Sequence, residues 1–306
     1  MPDLPSGPIP EAFDQYYVTM HNNMVMGRFD WSITMHRILT LLISQIDSRD
    51  QKDFRAQFVR VQDLIRLTNQ KEGAQYDQAK KAVQHLVHQA VEMETEDGWQ
   101  GIPLFGYIRY LDHSGLISAR FSEYARPYLL QLERQFTSWR MEQTIPLSTG
   151  YAIRHYMLGK MIQRKERRNS QTFAIDDYRF RLKLEEKYSQ FSDLKRRVID
   201  PAIEEVNEQT DVSMSVKVER VGRTPTGLTF TVDRLPPASS PVLQISSQEP
   251  EVTPYDRWLG SLRPKEYQET MQKAERIALA NGYTKDGSWT WKSGIQTALR
   301  KIYREA

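Results

Sequence analysis

The chain has 306 residues, of which 39% are hydrophobic and 26% charged, and it contains no cysteine. This length corresponds to two domains of roughly 150 residues each. The missing thiols exclude disulfides, thiolate metal sites and cysteine nucleophiles. No stretch reaches the ~18 apolar residues that a membrane-spanning helix needs, and the proline-rich residues 1–10 lack the basic and apolar blocks of a secretory signal. We therefore expect a cytoplasmic protein without a membrane partner.

Charge is distributed unevenly along the chain. Overall there are 42 Lys and Arg against 39 Asp and Glu, a net charge of +3. Residues 1–150 have 15 basic and 18 acidic side chains, residues 151–234 have 17 and 13, and residues 235–306 have 10 and 8. A local basic surface matters more to an anionic partner than the total charge does. The middle of the chain is therefore the predicted binding region for such a partner.

The first half of the chain has the element order of a winged helix. The predicted elements are a helix over 31–46, a strand over 54–61, a short helix over 62–67, a helix over 76–91 and a hairpin of 99–111 with 115–121. Asp30 and Ser32 are candidate N-caps for the first helix. The order helix, strand, helix, helix, hairpin makes the hairpin the wing.

The same order is predicted a second time. The elements are a helix over 146–161, a strand over 172–175, a helix over 176–184, a longer helix over 191–208 and two strands over 212–221 and 227–232. Asp176 and Asp177 are candidate caps, and residues 222–227 form the predicted hairpin turn. The repeat is one of topology, because no short fixed period is present.

After the second unit the composition changes. The Pro- and Ser-rich stretch at 236–250 cannot bury much apolar surface and predicts a flexible linker over 235–253. Helical patterns at 264–281 and 293–304 then predict a small helical tail. The fold class is therefore α+β, with two tandem winged-helix domains plus a small C-terminal helical appendage. The predicted domains are 16–142 and 143–234, followed by the tail at 254–306.

Motifs of nucleotide or metal chemistry are missing. Gly222 and Gly227 have the glycine spacing of a phosphate-binding loop, but Leu228 stands where the lysine is required, and there is no G-x-G-x-x-G. The histidine–hydrophobe–histidine pair of a metal-dependent nickase is absent too. His85, His88 and Glu92 share a predicted helix, and we interpret them as a polar face rather than a zinc site. We therefore predict no enzyme activity, no catalytic residues, no cofactor and no metal.

The main positive signal is a basic helix start. Lys195, Arg196 and Arg197 lie in the first turns of the helix predicted over 191–208. In a helix-turn-helix unit the second helix enters the DNA major groove with its N-terminal residues, where Arg can bind guanine and Gln can bind adenine through paired hydrogen bonds. The alternative interpretation is a solvated face with ion pairs to nearby glutamates.

The segment Asp193-Leu-Lys-Arg-Arg-Val-Ile-Asp-Pro-Ala-Ile-Glu-Glu-Val-Asn207, followed by the strand pair around Gly222, resembles the hallmark C-terminal segment of the replication initiator proteins of iteron-containing plasmids. Upstream, residues 151–156 resemble the helix that opens the second domain of that family. Residues 29–42 resemble the first helix of its first domain. The resemblance extends from about residue 16 to residue 232.

This resemblance implies that two winged-helix domains bind direct repeats, or iterons, in the double-stranded DNA of a plasmid origin. The second domain supplies most base contacts, and the first adds auxiliary DNA contact and dimerisation. The DNA-binding residues that it implies are Lys195, Arg196 and Arg197, flanked by Tyr188, Ser189 and Gln190, with Arg220, Arg223 and Thr224 on the second wing and Gln75, Tyr76, Gln78 and Lys81 in the first domain.

The resemblance also implies that monomers open the origin with host replication proteins such as helicase and initiator, and that dimers repress the promoter of the gene. The chain would then act in a bacterial cytoplasm, associated with its plasmid. Three alternatives stay open: a tandem winged-helix transcriptional regulator without replication activity, a nuclease or primase acting at an origin, and a scaffold without sequence preference. Because the tail lies outside the resembling core, we expect removal of residues 236–306 to leave repeat binding largely unchanged.

Overall fold

A computed structural model describes residues 16–49, 51–68, 74–95, 98–112, 115–163, 170–234, 254–255, 258, 262, 264–283 and 289–305 of the chain. The predicted linker at 235–253 lies outside the described residues. Within them, helices and strands alternate in the order that two winged helices require, which confirms the predicted fold class.

The first domain is a winged helix with two added strand pairs. Its elements are β1 (Tyr17–His21), α1 (Asn22–Val25), α2 (Ile33–Ser44), β2 (Gln57–Arg60), α3 (Val61–Thr68), α4 (Gln75–Leu86), β3 (Ala90–Thr95), β4 (Gly98–Pro103), β5 (Phe105–Leu111), β6 (Leu116–Phe121), α5 (Arg126–Leu129) and β7 (Phe136–Arg140). The winged-helix sheet has the order β2-β6-β5, whereas β3 pairs with β4 and β1 pairs with β7, all antiparallel. The Ser32 side chain accepts a hydrogen bond from the Met35 amide at 3.3 Å, so of the two predicted candidates Ser32, and not Asp30, is the N-cap of α2.

The second domain repeats the plan without the added strands. Its elements are α6 (Gly150–Gln163), β8 (Ser170–Ala174), α7 (Ile175–Arg181), α8 (Phe191–Leu194), a π-helical turn (Lys195–Ile199), α9 (Asp200–Gln209), β9 (Val212–Val221) and β10 (Thr224–Arg234). Its sheet has the order β8-β10-β9. We call the continuous stretch from α8 to α9 the 191–209 helix. The strand predicted over 212–221 is confirmed, because its alternating pattern fits a sheet with one buried face.

Two predicted boundaries in the first domain are wrong. The helix predicted over 76–91 ends at Leu86, and its last residues belong to β3. His85, His88 and Glu92 therefore do not share a helix. The strand predicted over 99–111 is two strands, β4 and β5, divided at the buried Leu104, because β4 turns back to pair with β3.

The helix that Asp176 and Asp177 were expected to cap also differs from its prediction. Its N-cap residue is Ala174, without a side-chain hydrogen bond, and the helix ends at Arg181 instead of continuing to residue 184. The Asp177 carboxylate instead binds Arg181 one turn later at 2.9 Å. Lys183 has φ +53°, in the left-handed region that ends a helix.

One continuous apolar core extends through both domains. At their junction the buried Arg154 guanidinium donates hydrogen bonds to the carbonyls of Val25 and Gly27 at 3.0 and 2.7 Å. It also lies over the Phe29 ring at 3.8 Å, and burial lowers the pKa of Arg154 to about 9. It also donates to the Arg181 carbonyl of the second domain at 3.4 Å. Because its two shorter hydrogen bonds go to carbonyl oxygens of the first domain, this side chain links the two domains.

A set of ion pairs surrounds this buried contact. Glu92 of β3 accepts from Arg28 at 2.9 Å and from Lys183 of the second domain at 3.1 Å. Arg28 also pairs with Glu185, and its hydrogen bond is one reason why the pKa of Glu185 is lowered. These pairs link the loop before α2 to the loop that follows α7. Glu92 is therefore part of the contact between the domains.

The tail forms a helical hairpin of α10 (Pro264–Ala280) and α11 (Trp289–Glu305). Its helices begin and end within four residues of the predicted patterns. The Trp258 ring lies 6.1 Å from that of Tyr255 and 5.3 Å from that of Tyr303, centre to centre. Trp258 thus helps to close the tail, and the hairpin packs on the first domain.

Candidate nucleic-acid interface

The helix-turn-helix of the second domain is held together by Arg179, which lies in α7 and is buried. Its guanidinium donates to the carbonyls of Lys187 at 2.8 Å and Tyr188 at 2.6 Å, and at 3.3 Å to those of Leu184 and Ser189. One side chain thereby supplies hydrogen bonds to the backbone carbonyls of the turn that leads into the 191–209 helix. Sequence reasoning missed this residue, because an arginine between aromatic neighbours on a short helix carries no pattern of its own.

The three basic residues at the start of the 191–209 helix are accessible to solvent. The side chain of Arg196 is 71% exposed, that of Arg197 is 60% and that of Lys195 is 40%. All three lie in the π-helical turn, and such irregularities are frequent at functional sites. The structure therefore brings these predicted residues together on one surface.

Two carboxylates hold these cations in place. Asp193 binds Arg196 at 2.8 Å and lies 3.7 Å from Arg197, and Asp200 binds Lys195 at 2.6 Å. The hydrogen bond from Arg196 lowers the pKa of the Asp193 carboxyl, so this group stays ionised at neutral pH. Three positive charges against two negative ones leave a local excess of one, and any anionic ligand must compete with Asp193 for the arginines.

We expect Asp193→Asn to increase binding to DNA of any sequence more than binding to the preferred sequence. The change removes the carboxylate that binds both arginines, which leaves them available to phosphate, and it removes one negative charge from this surface. Fluorescence anisotropy on preferred and scrambled duplexes should show several-fold tighter binding to the scrambled DNA and a smaller ratio between the two. Asp233→Asn, which removes the same charge at the end of β10 far from the turn, is the control. Equal gains in affinity in both variants would mean that the change in net charge, and not the release of the two arginines, explains the tighter binding.

The three residues that precede the helix have different surroundings. Tyr188 adopts φ +54° and is half-buried against the core, so it shapes the turn. Burial raises the pKa of the neighbouring Tyr151 to about 12, and a side-chain hydrogen bond with Tyr188 adds to the increase. Ser189 and Gln190 are exposed. Gln190 is the N-cap, and its side chain makes no capping hydrogen bond, which leaves its amide available to a ligand.

The second wing ends in a tight turn. Val221 pairs with Thr224 across the two-residue connection, so the predicted turn over 222–227 is too long. Gly222 has φ +62°, which other residues rarely adopt. Arg220, Arg223 and Thr224 are exposed at this tip, and Arg220 donates to the Arg223 carbonyl at 2.9 Å. The wing therefore groups the predicted phosphate contacts at its end.

The predicted residues of the first domain lie on α4. Gln75 is half-buried beside a small cavity between α2, α3 and α4, so it is the least accessible of the four. Tyr76 is 37% exposed, and Gln78 and Lys81 are exposed. The neighbouring Lys80 binds Asp112, at the end of β5, at 2.5 Å. This helix therefore presents two lysines, Lys80 and Lys81, against the three cations at the start of the 191–209 helix.

The part of the chain that the structure describes has no group of three or more His, Asp or Glu side chains that could hold a metal ion. None of its helices is both long and apolar enough to cross a membrane. What the two helix starts and the wing have in common is exposed hydrogen-bond donors, which suit an anionic polymer with polar base edges.

Comparison with known proteins agrees with this geometry. The family model described as "Initiator Replication protein, WH1" matches residues 17–160, and that described as "Initiator Rep protein, WH2" matches residues 174–232. A replication initiation protein of Escherichia coli is 26% identical over 221 residues, which are 69% of this chain and 68% of that protein. The crystal structure of Pi initiator protein in complex with iteron DNA has the same fold, with a TM-score of 0.62 and 20% identity over 72% of this chain and 97% of that one. The chain therefore belongs to the family of initiator replication proteins built from a WH1 and a WH2 domain.

Proposed function

We propose that this chain initiates plasmid replication by binding the iterons of its origin with both winged-helix domains. The observation that carries the proposal is the exposed start of the 191–209 helix, where Lys195, Arg196 and Arg197 lie together after the turn organised by Arg179. An arginine pair at this position can bind guanine in the major groove, and each such contact discriminates by ~1–3 kcal/mol. Arg220 and Arg223 on the second wing bind the adjacent phosphates.

The first domain adds a weaker contact through Tyr76, Gln78 and Lys81. Occupation of several phased repeats bends the DNA, and the deformation falls on flexible A·T-rich steps beside them, which then open more easily. Host helicase is loaded at the opened strand. A dimer formed through the first domain binds the promoter of the gene and represses it.

The test is an electrophoretic mobility shift with purified full-length protein on the DNA that flanks its own gene, against scrambled competitor, over a series of salt concentrations. A ladder of discrete complexes is expected, with log K falling by ~0.9 for each phosphate neutralised as log salt rises. A single complex would favour a transcriptional regulator. Smeared complexes that scrambled DNA removes equally well would contradict sequence recognition.

A replication assay separates the initiator from the regulator. A plasmid that carries the flanking DNA and lacks its own initiator should replicate when this chain is supplied from a second plasmid. Sequence-specific binding without replication in this assay would overturn the initiator proposal. A strand-nicking assay with magnesium or manganese addresses the nuclease alternative, and no nicking is expected.

A further inference from the structure

The C-terminal hairpin covers a face of the first-domain sheet. Strand alternation directs Val59, Ile108 and Ile117 into the main core, and Phe58, Leu111 and Leu116 to the opposite face. Leu111 and Leu116 are only 4% and 2% exposed. The buried tail residues in the same cluster are Ala274, Ala278, Ile295, Ala298, Leu299 and Ile302. The tail is therefore what removes these two strand residues from solvent.

A polar contact fixes where the tail sits on this face. Arg109 of β5 donates a hydrogen bond to the Leu262 carbonyl of the tail. Its guanidinium lies over the ring of Tyr107 at 4.5 Å and over the ring of Tyr267, in α10, at 5.0 Å. A cation between two aromatic rings favours one arrangement of the partners. The tail thus binds the first domain at a defined position, through an apolar cluster and one oriented arginine.

The end of the β5–β6 hairpin that the tail contacts is also in contact with α4. Asp112, next to Leu111, binds Lys80 of α4 at 2.5 Å. Gly115, next to Leu116, has φ +62°, and a Cβ placed there would lie 2.6 Å from the Tyr76 ring. The Gly115 carbonyl accepts from the Val61 amide, at the start of α3, at 2.9 Å. The same short segment is therefore held by the tail on one side and by the helix-turn-helix on the other.

We propose that the C-terminal hairpin is a positioning element for DNA binding by the first domain. By holding Leu111 and Leu116 it fixes the segment on which Tyr76 and Lys80 rest, and hence the direction of α4. The inference rests on the proposed function, and it replaces the expectation that removal of the tail leaves binding unchanged. The family models end at residue 232, before the tail begins, so this device lies outside the part of the chain that they match.

The test uses full-length variants of the hairpin. Leu299→Asp places a charge in the buried cluster, where Leu299 is 1% exposed, and Leu279→Asp makes the same change at a side chain of α10 that is 50% exposed. Hydrogen exchange in the Leu299→Asp variant should show loss of protection in α4, β5 and β6, with the second domain unchanged. The Leu279→Asp variant should behave like the wild type.

DNA binding is then measured on the shortest flanking-gene segment that the wild type protects. Leu299→Asp is expected to bind at least about tenfold more weakly and to protect fewer nucleotides at one end of the hydroxyl-radical footprint. The dependence of log K on log salt should become shallower by the equivalent of ~1–2 phosphate contacts. Tyr267→Leu, which removes only the ring beside Arg109, should give a smaller change in the same direction. If Leu299→Asp unfolds the first domain, the affinity of the Tyr267→Leu variant tests the positioning role instead.

The outcomes separate the two proposals. If the hydrogen-exchange protection of β5 and β6 is lost while affinity and footprint stay at wild-type values, the positioning role is wrong. If the wild type itself does not prefer the flanking segment to scrambled DNA, the proposed function fails, whatever the tail does.

Discussion

Replacing Arg196 and Arg197 together with alanine is expected to abolish sequence-specific DNA binding without unfolding the protein. Both side chains are mostly exposed, and their shared partner is Asp193 on the same helix. The helix is held instead by buried neighbours such as Leu194 and Val198. Two lost base contacts at ~1–3 kcal/mol each correspond to a decrease in affinity of about 30-fold to 10⁴-fold. Fluorescence anisotropy on the preferred duplex measures this decrease directly.

The control removes the same charge from elsewhere. Arg49 and Arg55 are exposed between α2 and β2, away from both helix starts, so their double alanine variant should bind within about threefold of the wild type, as expected for a change in net charge that is screened by salt. Circular dichroism of both double variants should match the wild type. An unfolded Arg196→Ala, Arg197→Ala protein would mean that the arginines are structural. A folded one with unchanged specificity would place the base contacts elsewhere.

Local patterns were sufficient for most elements of the fold. The sequence narrows the N-cap of α2 to Asp30 or Ser32 and predicts the strand over 212–221 from its alternation, because both signals lie within a few neighbouring residues. The error at the end of α4 has a physical cause. Ala90 and Val91 satisfy the helical spacing of the preceding residues, yet with Met93 they also begin a strand, and only pairing with β4 decides between the two.

The basic helix start could be predicted, but its supports could not. Lys195, Arg196 and Arg197 form a visible run, whereas Asp193 and Arg179 act through contacts that the sequence does not display. Arg154 is the extreme case, because its two shortest hydrogen bonds go to carbonyls that lie at least 127 positions earlier in the chain. Periodicity places such residues on an element, and only the tertiary structure tells whether a polar side chain is buried and what it binds.

The position of the tail on the first domain could not be predicted from the sequence either. Its two helices were predicted from their apolar spacing, but not the surface that receives them. In β6, four successive residues are buried, so the strand does not alternate between an apolar and a polar face. A strand that is covered on both sides gives this pattern, but the pattern alone does not identify which segment supplies the second cover.

Lowering the pH from 7 to 5 is expected to reduce the free energy of unfolding by about 4 kcal/mol through two buried histidines. Burial, together with a smaller effect of the positive charge of Arg154, lowers the pKa of His36 to about 3 and that of His155 to about 4. The hydrogen bond with the Tyr151 carbonyl opposes part of the decrease at His155. His155 is held neutral, with Nδ1–H donating to the Tyr151 carbonyl at 2.7 Å and Nε2 accepting from the Tyr178 hydroxyl at 3.0 Å. Protonation would remove that acceptor and place a second charge beside Arg154.

Protonation of these two histidines should destabilise the folded protein. Because the folded pKa values lie below the ordinary value of 6.5, the unfolded chain binds the protons more tightly, so stability is fully present above pH 6.5. It is lost as the pH falls towards about 4 for His155 and about 3 for His36. At pH 5 each histidine contributes ~2 kcal/mol to the loss, while most carboxylates are still ionised.

Denaturant unfolding at pH 7 and 5 measures the sum of the two contributions. His155→Gln should remove about half of the difference. A full difference in His155→Gln would contradict the assignment. Because Arg154 carries the contact between the domains, the same protonation should weaken the packing that sets the relative orientation of the two helix-turn-helix units.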